Sequence, residues 1–394
     1  YNYFRFRFKF YFQMSKSADY NICTNCIMDT SDSSIRFDSD GVCEYCNNYY
    51  NNILPSWHTD ERGEKKLNKE IAKIKKDGIG KSHDCLIGIS GGLDSSYLVY
   101  LAVKKFNLRP LLFHVDAGWN SDTSTHNIQK LVDGLNLDLY TEVINWDEMK
   151  DLQRAFFKSG VSDIDHPQDL VFFSALYNFA YKNKFKYILT GGNHSTECIR
   201  EPFEWGAYYQ TDMVYINAIH KRFGEKALDT FPTCDIFKYK LFYRFLYGVR
   251  VLKPLDNLPF IKKDAEKLLK KELGWKSYLH KHHESRFTRF CEDYWFPRKF
   301  GFDRRRAHFS SLIVTNQMTR EEALKRISKP ELSEKELNDE FEFVAKKLDF
   351  SVDELRKLFR SENKTYNDFP NNKYLIILGT RIMQFLGIEK RKFK

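Results

Sequence analysis

A string of small and polar residues, Ser90-Gly91-Gly92-Leu93-Asp94-Ser95-Ser96, follows a short buried-strand run, Cys85-Leu86-Ile87-Gly88-Ile89, and opens a helical pattern over 94–105. Two adjacent glycines at a strand-to-helix turn let backbone N–H groups converge on one point. The helix N-terminus adds further donors and a partial positive charge, so the turn is shaped for an anion. Ser90, Ser95 and Ser96 can donate hydroxyl hydrogen bonds, and Asp94 can cap the helix or help hold Mg²⁺ on phosphates. An ordinary strand–turn–helix with an N-cap would need far less of this string. Upstream, Gly80-Lys81-Ser82 imitates the end of a different phosphate loop. It precedes the strand, and Lys75 stands where that motif requires its first glycine.

The alternation continues beyond the loop. Residues 111–115 read as a second strand, 123–135 as a helix, 137–144 as a third strand, 168–183 as a helix and 187–190 as a fourth strand. Strands alternating with helices at this spacing predict an α/β fold, a Rossmann-like parallel sheet with helices on both faces. Ligands in such sheets bind at the carboxyl ends of the strands, near the switch point. Residues 201–253 are aromatic and show no clear period. Residues 260–272, 321–327, 334–348 and 352–360 look helical, so the last third is read as mostly α. The boundaries that follow are 14–60 for a cysteine module, 61–80 for a linker helix, 81–255 for the sheet domain and 256–394 for a helical region completing the site.

The chain has 394 residues and a net charge of +10. No apolar run approaches the ~20 residues of a membrane helix, and no secretory start is evident. A cytoplasmic protein without a membrane partner is expected. Residues 1–13, YNYFRFRFKFYFQ, alternate aromatic and basic side chains and end like a protease-site scar left by expression, so they are set aside. Without Arg5, Arg7 and Lys9 the charge is 10 − 3 = +7, which still suits an anionic ligand such as a nucleotide.

Of eight cysteines, four form two tight pairs, Cys23-x-x-Cys26 and Cys43-x-x-Cys46. Each pair can grip one metal from a tight turn, which predicts closed tetrahedral sulfur coordination of a structural Zn²⁺, with an iron–sulfur cluster as the alternative. The segment is too polar to fold around a core of its own. Cys85, Cys198, Cys234 and Cys291 are scattered.

The loop Ser-Gly-Gly-x-Asp-Ser after the first strand resembles the PP-loop of the ATP pyrophosphatase superfamily. That resemblance implies an enzyme that binds ATP and Mg²⁺, adenylates a carbonyl-type oxygen, and lets a nitrogen or sulfur nucleophile expel AMP. It also implies that Ser90 to Ser96 hold phosphate, that His114, Val115 and Asp116 at the second strand's end meet the adenosine, and that Thr190, Gly191, Gly192 and Asn193 complete the cofactor site.

Three further strings narrow the resemblance. They are Cys23-Thr24-Asn25-Cys26-Ile27-Met28-Asp29 with Gly41-Val42-Cys43-Glu44-Tyr45-Cys46, then Lys299-Phe300-Gly301-Phe302-Asp303-Arg304-Arg305-Arg306-Ala307-His308, then Gln317-Met318-Thr319-Arg320. In this order they resemble the N-acetyl sugar amidotransferase family of O-antigen and nonulosonic acid biosynthesis, part of lipopolysaccharide biosynthesis. The family implies conversion of an acetamido group on a nucleotide-sugar to acetamidino, with AMP and pyrophosphate released. A separate glutaminase subunit resembling that of histidine biosynthesis, with a cyclase-like partner, would supply the ammonia. The catalytic residues expected are Asp94, Lys299, Arg305 and Glu197. Lys299 and Arg305 are singled out because cleavage of ATP builds negative charge that cations must meet.

His280, His282, His283 and Glu284 form a dense polar cluster whose spacing does not match a helical histidine pair. Metal, substrate-facing loop and solvated surface remain open for them. The competing function is a tRNA thiolase, which also combines a PP-loop with metal-binding cysteines and would use the positive charge for RNA. Isolated cysteines outside the module weigh against it, and nucleic acid is not the expected partner. A non-catalytic nucleotide-binding scaffold is the third reading, and the intact phosphate loop speaks against it.

Overall fold

The computed structural model describes residues 20–278 and 281–385. Residues 1–13 and His280 lie outside the described residues.

Five parallel strands form the sheet: β1 (Cys85–Gly88), β2 (Pro110–Asp116), β3 (Leu139–Val143), β4 (Tyr187–Leu189) and β5 (Arg250–Leu252), in the order β3-β2-β1-β4-β5. Register is set by pairs such as Ile87 with Leu112 and Leu86 with Ile188. The chain runs outward through β2 and β3, then returns to the other side of β1 for β4. The topological switch therefore falls between the carboxyl ends of β1 and β4, where such sheets bind ligands.

Alternation along the strands splits the core in two. Leu86, Phe113 and Ile188 face one side, packed on Leu170, Val171 and Ala175 of the helix His166–Lys182. Cys85, Ile87, Leu112 and Leu189 face the other, against Leu98, Val99 and Ala102 of the helix Leu93–Lys104 and Ile128 and Leu131 of the helix Asp122–Leu135. Each fully buried aliphatic side chain is worth about 1.5–3 kcal/mol of burial. The linker segment is the helix Glu61–Asp77, started by an Asp60 cap, and its buried Leu67, Ile71 and Ile74 join this second core.

A third core is aromatic. Trp119, Phe157, Trp205, Phe287, Phe290, Trp295, Phe296 and Phe302 gather there with the four module cysteines. The module thus packs on the C-terminal helices. Arg306 donates to Ile27 O at 2.8 Å and pairs with Asp29 at 2.9 Å. Arg320 donates to Cys23 O and Cys26 O at 2.8 and 2.9 Å. Two helices that periodicity had not indicated, Trp146–Ser159 and Met213–Phe223, start at Asn145 and Asp212 caps and pack near one another.

Candidate functional site at the sheet switch point

The phosphate-type loop sits at the switch point and opens the helix Leu93–Lys104. Gly91 adopts φ +78°, and a Cβ there would lie 2.6 Å from Ser124 O, so only glycine fits. Its carbonyl is held from three sides, by Asn127 Nδ2 at 3.1 Å, Trp275 Nε1 at 3.1 Å and the Tyr278 hydroxyl at 3.2 Å. Ser124 Oγ donates to Ser90 O at 2.7 Å, while Trp275 Nε1 also reaches Ser96 Oγ at 3.2 Å. The loop backbone is thus fixed by its neighbours, and Gly92 N–H donates within it to Ser90 Oγ at 3.4 Å.

A cavity of about 220 Å³ at the loop is floored by Ser90, Gly92, Leu93, Asp94 and Ser95. Thr190, Gly191, Gly192, Thr196 and Glu197, from the end of β4, form one wall. The opposite wall comes from the C-terminal region: Lys262, Glu266, Trp275, Tyr278, Lys281, His282, Glu284 and His308. The two strand ends touch closely, since a Cβ on Gly191 would lie 2.8 Å from the Asp94 carbonyl carbon.

Lys281 is the central cation. Its Nζ lies 2.9 Å from Asp94 Oδ2, 2.6 Å from Glu197 Oε1 and 3.1 Å from Thr196 Oγ1. Burial disfavours its ammonium, but Asp94 and Glu197 outweigh that and hold its pKa above the usual lysine range. Burial likewise opposes ionisation of Glu197, yet Lys281, His282 and Lys253 pull it down to about 2. Burial pushes Lys262 down, with Asp94 acting in the other direction. Glu284 is different: burial raises it to about 7, and its Oε1 would lie 1.7 Å from a Cβ placed on Gly92. A carboxyl poised near neutrality above a phosphate loop can hold or release a proton at working pH.

Asn193 caps the short helix His194–Glu197 and donates to Asp94 Oδ2 at 3.2 Å. His114, Val115, Asp116, Gly91, Ser96 and Asn193 do not line the cavity. His114 braces it instead, bridging Ile89 O and Asn120 Nδ2 at 3.0 Å each, while Asp116 accepts from Gly118 N.

Lys299 and Arg305, expected at the phosphates, are placed elsewhere. Lys299 donates to the carbonyls of Leu358, Phe359 and Ser361, at the end of the helix Val352–Arg360. Arg305 pairs with Asp303 at 2.6 Å and Glu331 at 3.5 Å. Arg304 pairs with Glu201 at 2.9 Å and donates to Trp205 O. Of that basic run, His308 lines the cavity. Lys281 and Lys262, which sequence reasoning had not singled out, supply the positive charge. Lys281 stands within the polar cluster over 280–284, for which a substrate-facing loop is one of the open readings, and the cavity wall takes Lys281, His282 and Glu284 from it. Lys262, among many helix-surface lysines, gave no signal.

The four module thiols lie within 4.8 Å of one another, with Cys23 and Cys46 sulfurs 3.9 Å apart and those of Cys26 and Cys43 3.6 Å apart. Tetrahedral coordination at ~2.3 Å places sulfurs about 3.8 Å apart, so this set fits one metal ion. N–H groups of Cys26, Met28 and Cys43, together with Asn25 Nδ2, point at the sulfurs at 3.2–3.4 Å, which favours thiolates.

Residues 284–384 match the family model of the C-terminal domain of WbpG-like lipopolysaccharide biosynthesis proteins. That stretch carries His308 and Glu284 of the cavity wall and both arginines that clasp the cysteine module. No curated protein matches the chain. One similar solved structure is the U34-tRNA thiolase NcsA from Methanococcus maripaludis with its [4Fe-4S] cluster, at 16% identity, over 70% of this chain and 82% of that one, with a TM-score of 0.33. Similarity at that level says nothing of chemistry.

Proposed function

We propose that the chain is an ATP-dependent, AMP-forming amidotransferase of surface polysaccharide biosynthesis, which converts the N-acetyl group of a nucleotide-linked sugar to an acetamidino group. The observation that carries this reading is the glycine-fixed loop at the switch point with Lys281 opposite it. The acetamido oxygen attacks the α-phosphorus and pyrophosphate leaves. Ammonia then adds at the amide carbon, loses a proton, and AMP departs with the former acetamido oxygen.

Loop N–H groups, Lys281 and Lys262 would meet the charge on the departing pyrophosphate. Asp94 is the carboxylate placed to share Mg²⁺ with the phosphates, and the metal would supply further neutralisation there. Glu284 would take the proton shed by the attacking nitrogen. Thr190 to Glu197 would border the sugar. A separate glutaminase subunit and its cyclase-like companion would deliver neutral ammonia, because water reaching the adenylate would only return the starting amide.

Nitrogen is favoured over sulfur as the nucleophile by the state of the thiols. Cys85, Cys198, Cys234 and Cys291 are all buried, burial raises every one of their pKa values, and none lines the cavity. A thiolase would need an activated thiol or a cluster beside the adenylate, and none of the module cysteines lines the cavity either.

The test incubates purified chain with ATP, Mg²⁺, ammonium and an N-acetylated nucleotide-sugar. AMP should appear together with a sugar in which oxygen is replaced by NH. ADP as the product, or sulfur entering tRNA in place of nitrogen entering the sugar, would end this reading.

A further inference from the structure

The helical segment Lys238–Leu246, KYKLFYRFL, just before β5, has two faces of different character. Its inner face is an aromatic clasp on the helix His166–Lys182. Tyr239 meets Phe173 and Tyr177 at ring-centroid distances of 4.8 and 5.0 Å, and Phe242 and Tyr247 flank Tyr181 at 5.0 and 4.9 Å. The outer face has no such partner. Phe237, Leu241, Phe245 and Leu246 are 67, 55, 71 and 65% exposed, and the first three recur every four residues, so they project from one side. Lys240, Arg244 and Arg250 accompany this face, whereas Lys238 turns inward to Asn178 Oδ1 at 3.1 Å; the adjoining acid, Asp235, accepts from the backbone N–H groups of Phe237 and Lys238 at 2.8 Å.

We propose that this face lies on an anionic membrane surface, with Phe237, Leu241 and Phe245 in the acyl boundary and Lys240, Arg244 and Arg250 at the headgroups. Large apolar tips interleaved with long basic side chains, on a helix too short to cross a bilayer, are the combination that an interfacial helix requires. With the adjoining Asp235 engaged by the segment's own N–H groups, the excess of cations fits a negatively charged surface, to which each juxtaposed cation adds attraction. Among the described residues no helix is long and apolar enough to span a membrane. The expectation of no membrane partner rested on spanning segments, and a helix lying in the surface is a different arrangement. The inner aromatic clasp matters too, because it fixes the helix before contact, so binding need not bear the ordering of a free peptide.

The experiment is co-sedimentation of the protein with vesicles of pure phosphatidylcholine or of phosphatidylcholine with phosphatidylglycerol. Because residues 1–13 are themselves aromatic and basic, it is run on the full chain and on the chain from Met14. Both should bind the phosphatidylglycerol vesicles, weakly bind pure phosphatidylcholine, and release with salt. Phe237→Ser with Phe245→Ser should cut the partition by at least about tenfold. Lys240→Gln with Arg250→Gln should cut it about fivefold per cation. Leu241→Trp, which keeps the face apolar, should add a blue-shifted emission only with anionic vesicles. Binding that vanishes from Met14 onward, or is unchanged in the serine variant, would overturn the proposal. So would a serine variant that changes oligomeric state without lipid, which would make the face a contact between copies.

Discussion

Lys281 Nζ stands 2.9 Å from Asp94 Oδ2, bridging the phosphate loop to a carboxylate, Glu197, on the neighbouring strand's loop. The residue that would greet a triphosphate is therefore already neutralised by two acids. A polyanion entering the cavity competes with them for the ammonium, so binding exchanges one ionic arrangement for another instead of placing a new charge in a dry site.

Replacing Lys281 by Met should lower kcat/KM for ATP about 100- to 1,000-fold, the cost of removing one preorganised electrostatic contact. Lys281→Arg should recover part of that. AMP release in steady state measures both, and a Met variant within about twofold of wild type would remove Lys281 from the phosphates.

Gly92→Ala should destabilise the fold by about 1–3 kcal/mol through overpacking, because the new methyl would fall 1.7 Å from Glu284 Oε1. Adding Glu284→Ala should restore most of the loss. Thermal melts of both singles and the double variant close the cycle. Equal losses in the presence and absence of Glu284 would place the strain elsewhere.

The Glu284 carboxyl is raised by burial from 4.5 to about 7. Between those values the folded chain keeps a proton that the unfolded chain has released. Its contribution to stability is thus full below about pH 4.5 and is lost as pH rises through about 7. Glu284→Gln should not show this loss, so its stability relative to wild type should rise by up to about 2 kcal/mol between pH 5 and 8. Chemical denaturation at several pH values measures it, and parallel curves would refute a titrating Glu284.

Cys43→Ser should empty the cysteine centre and lower the melting temperature, and elemental analysis of the wild-type chain should find one metal ion, expected to be zinc, per chain. Four-iron content would instead assign a cluster. An unchanged melt in the serine variant would deny the centre a structural role.

Much of this architecture was legible in the residues. Strands β1, β2 and β4 are short apolar runs flanked by turns, and their alternation with helices marks the sheet as parallel, whereas the strand order β3-β2-β1-β4-β5 is set by tertiary packing. β5 escaped notice because Arg250–Leu252 is three residues long and only partly buried. The helix Trp146–Ser159 was hidden because Glu148, Asp151 and Gln153 are buried alongside Met149, Leu152 and Phe156, which blurs its period. The phosphate loop was readable since its glycines obey local sterics. Lys299 was not, because its role as a donor to the carbonyl end of a helix 60 residues away is set by tertiary packing. A cation's neighbours, unlike its charge, are not written near it in the chain.

The helix Arg305–Val314 holds the cysteine module with Arg306 and Ser310, while Ser311 accepts from Ile199 N at 3.0 Å and Thr315, just past its end, donates to Ser195 O at 2.9 Å. One short rod thus anchors both the thiol centre and the loop that borders the cavity. Oxidant or chelator acting on the cysteines should consequently be felt at a distance, as protease nicking within 194–201 that precedes melting of the sheet. Loss of an ion from the thiol centre would then reach the cavity wall through this rod while the sheet still stands.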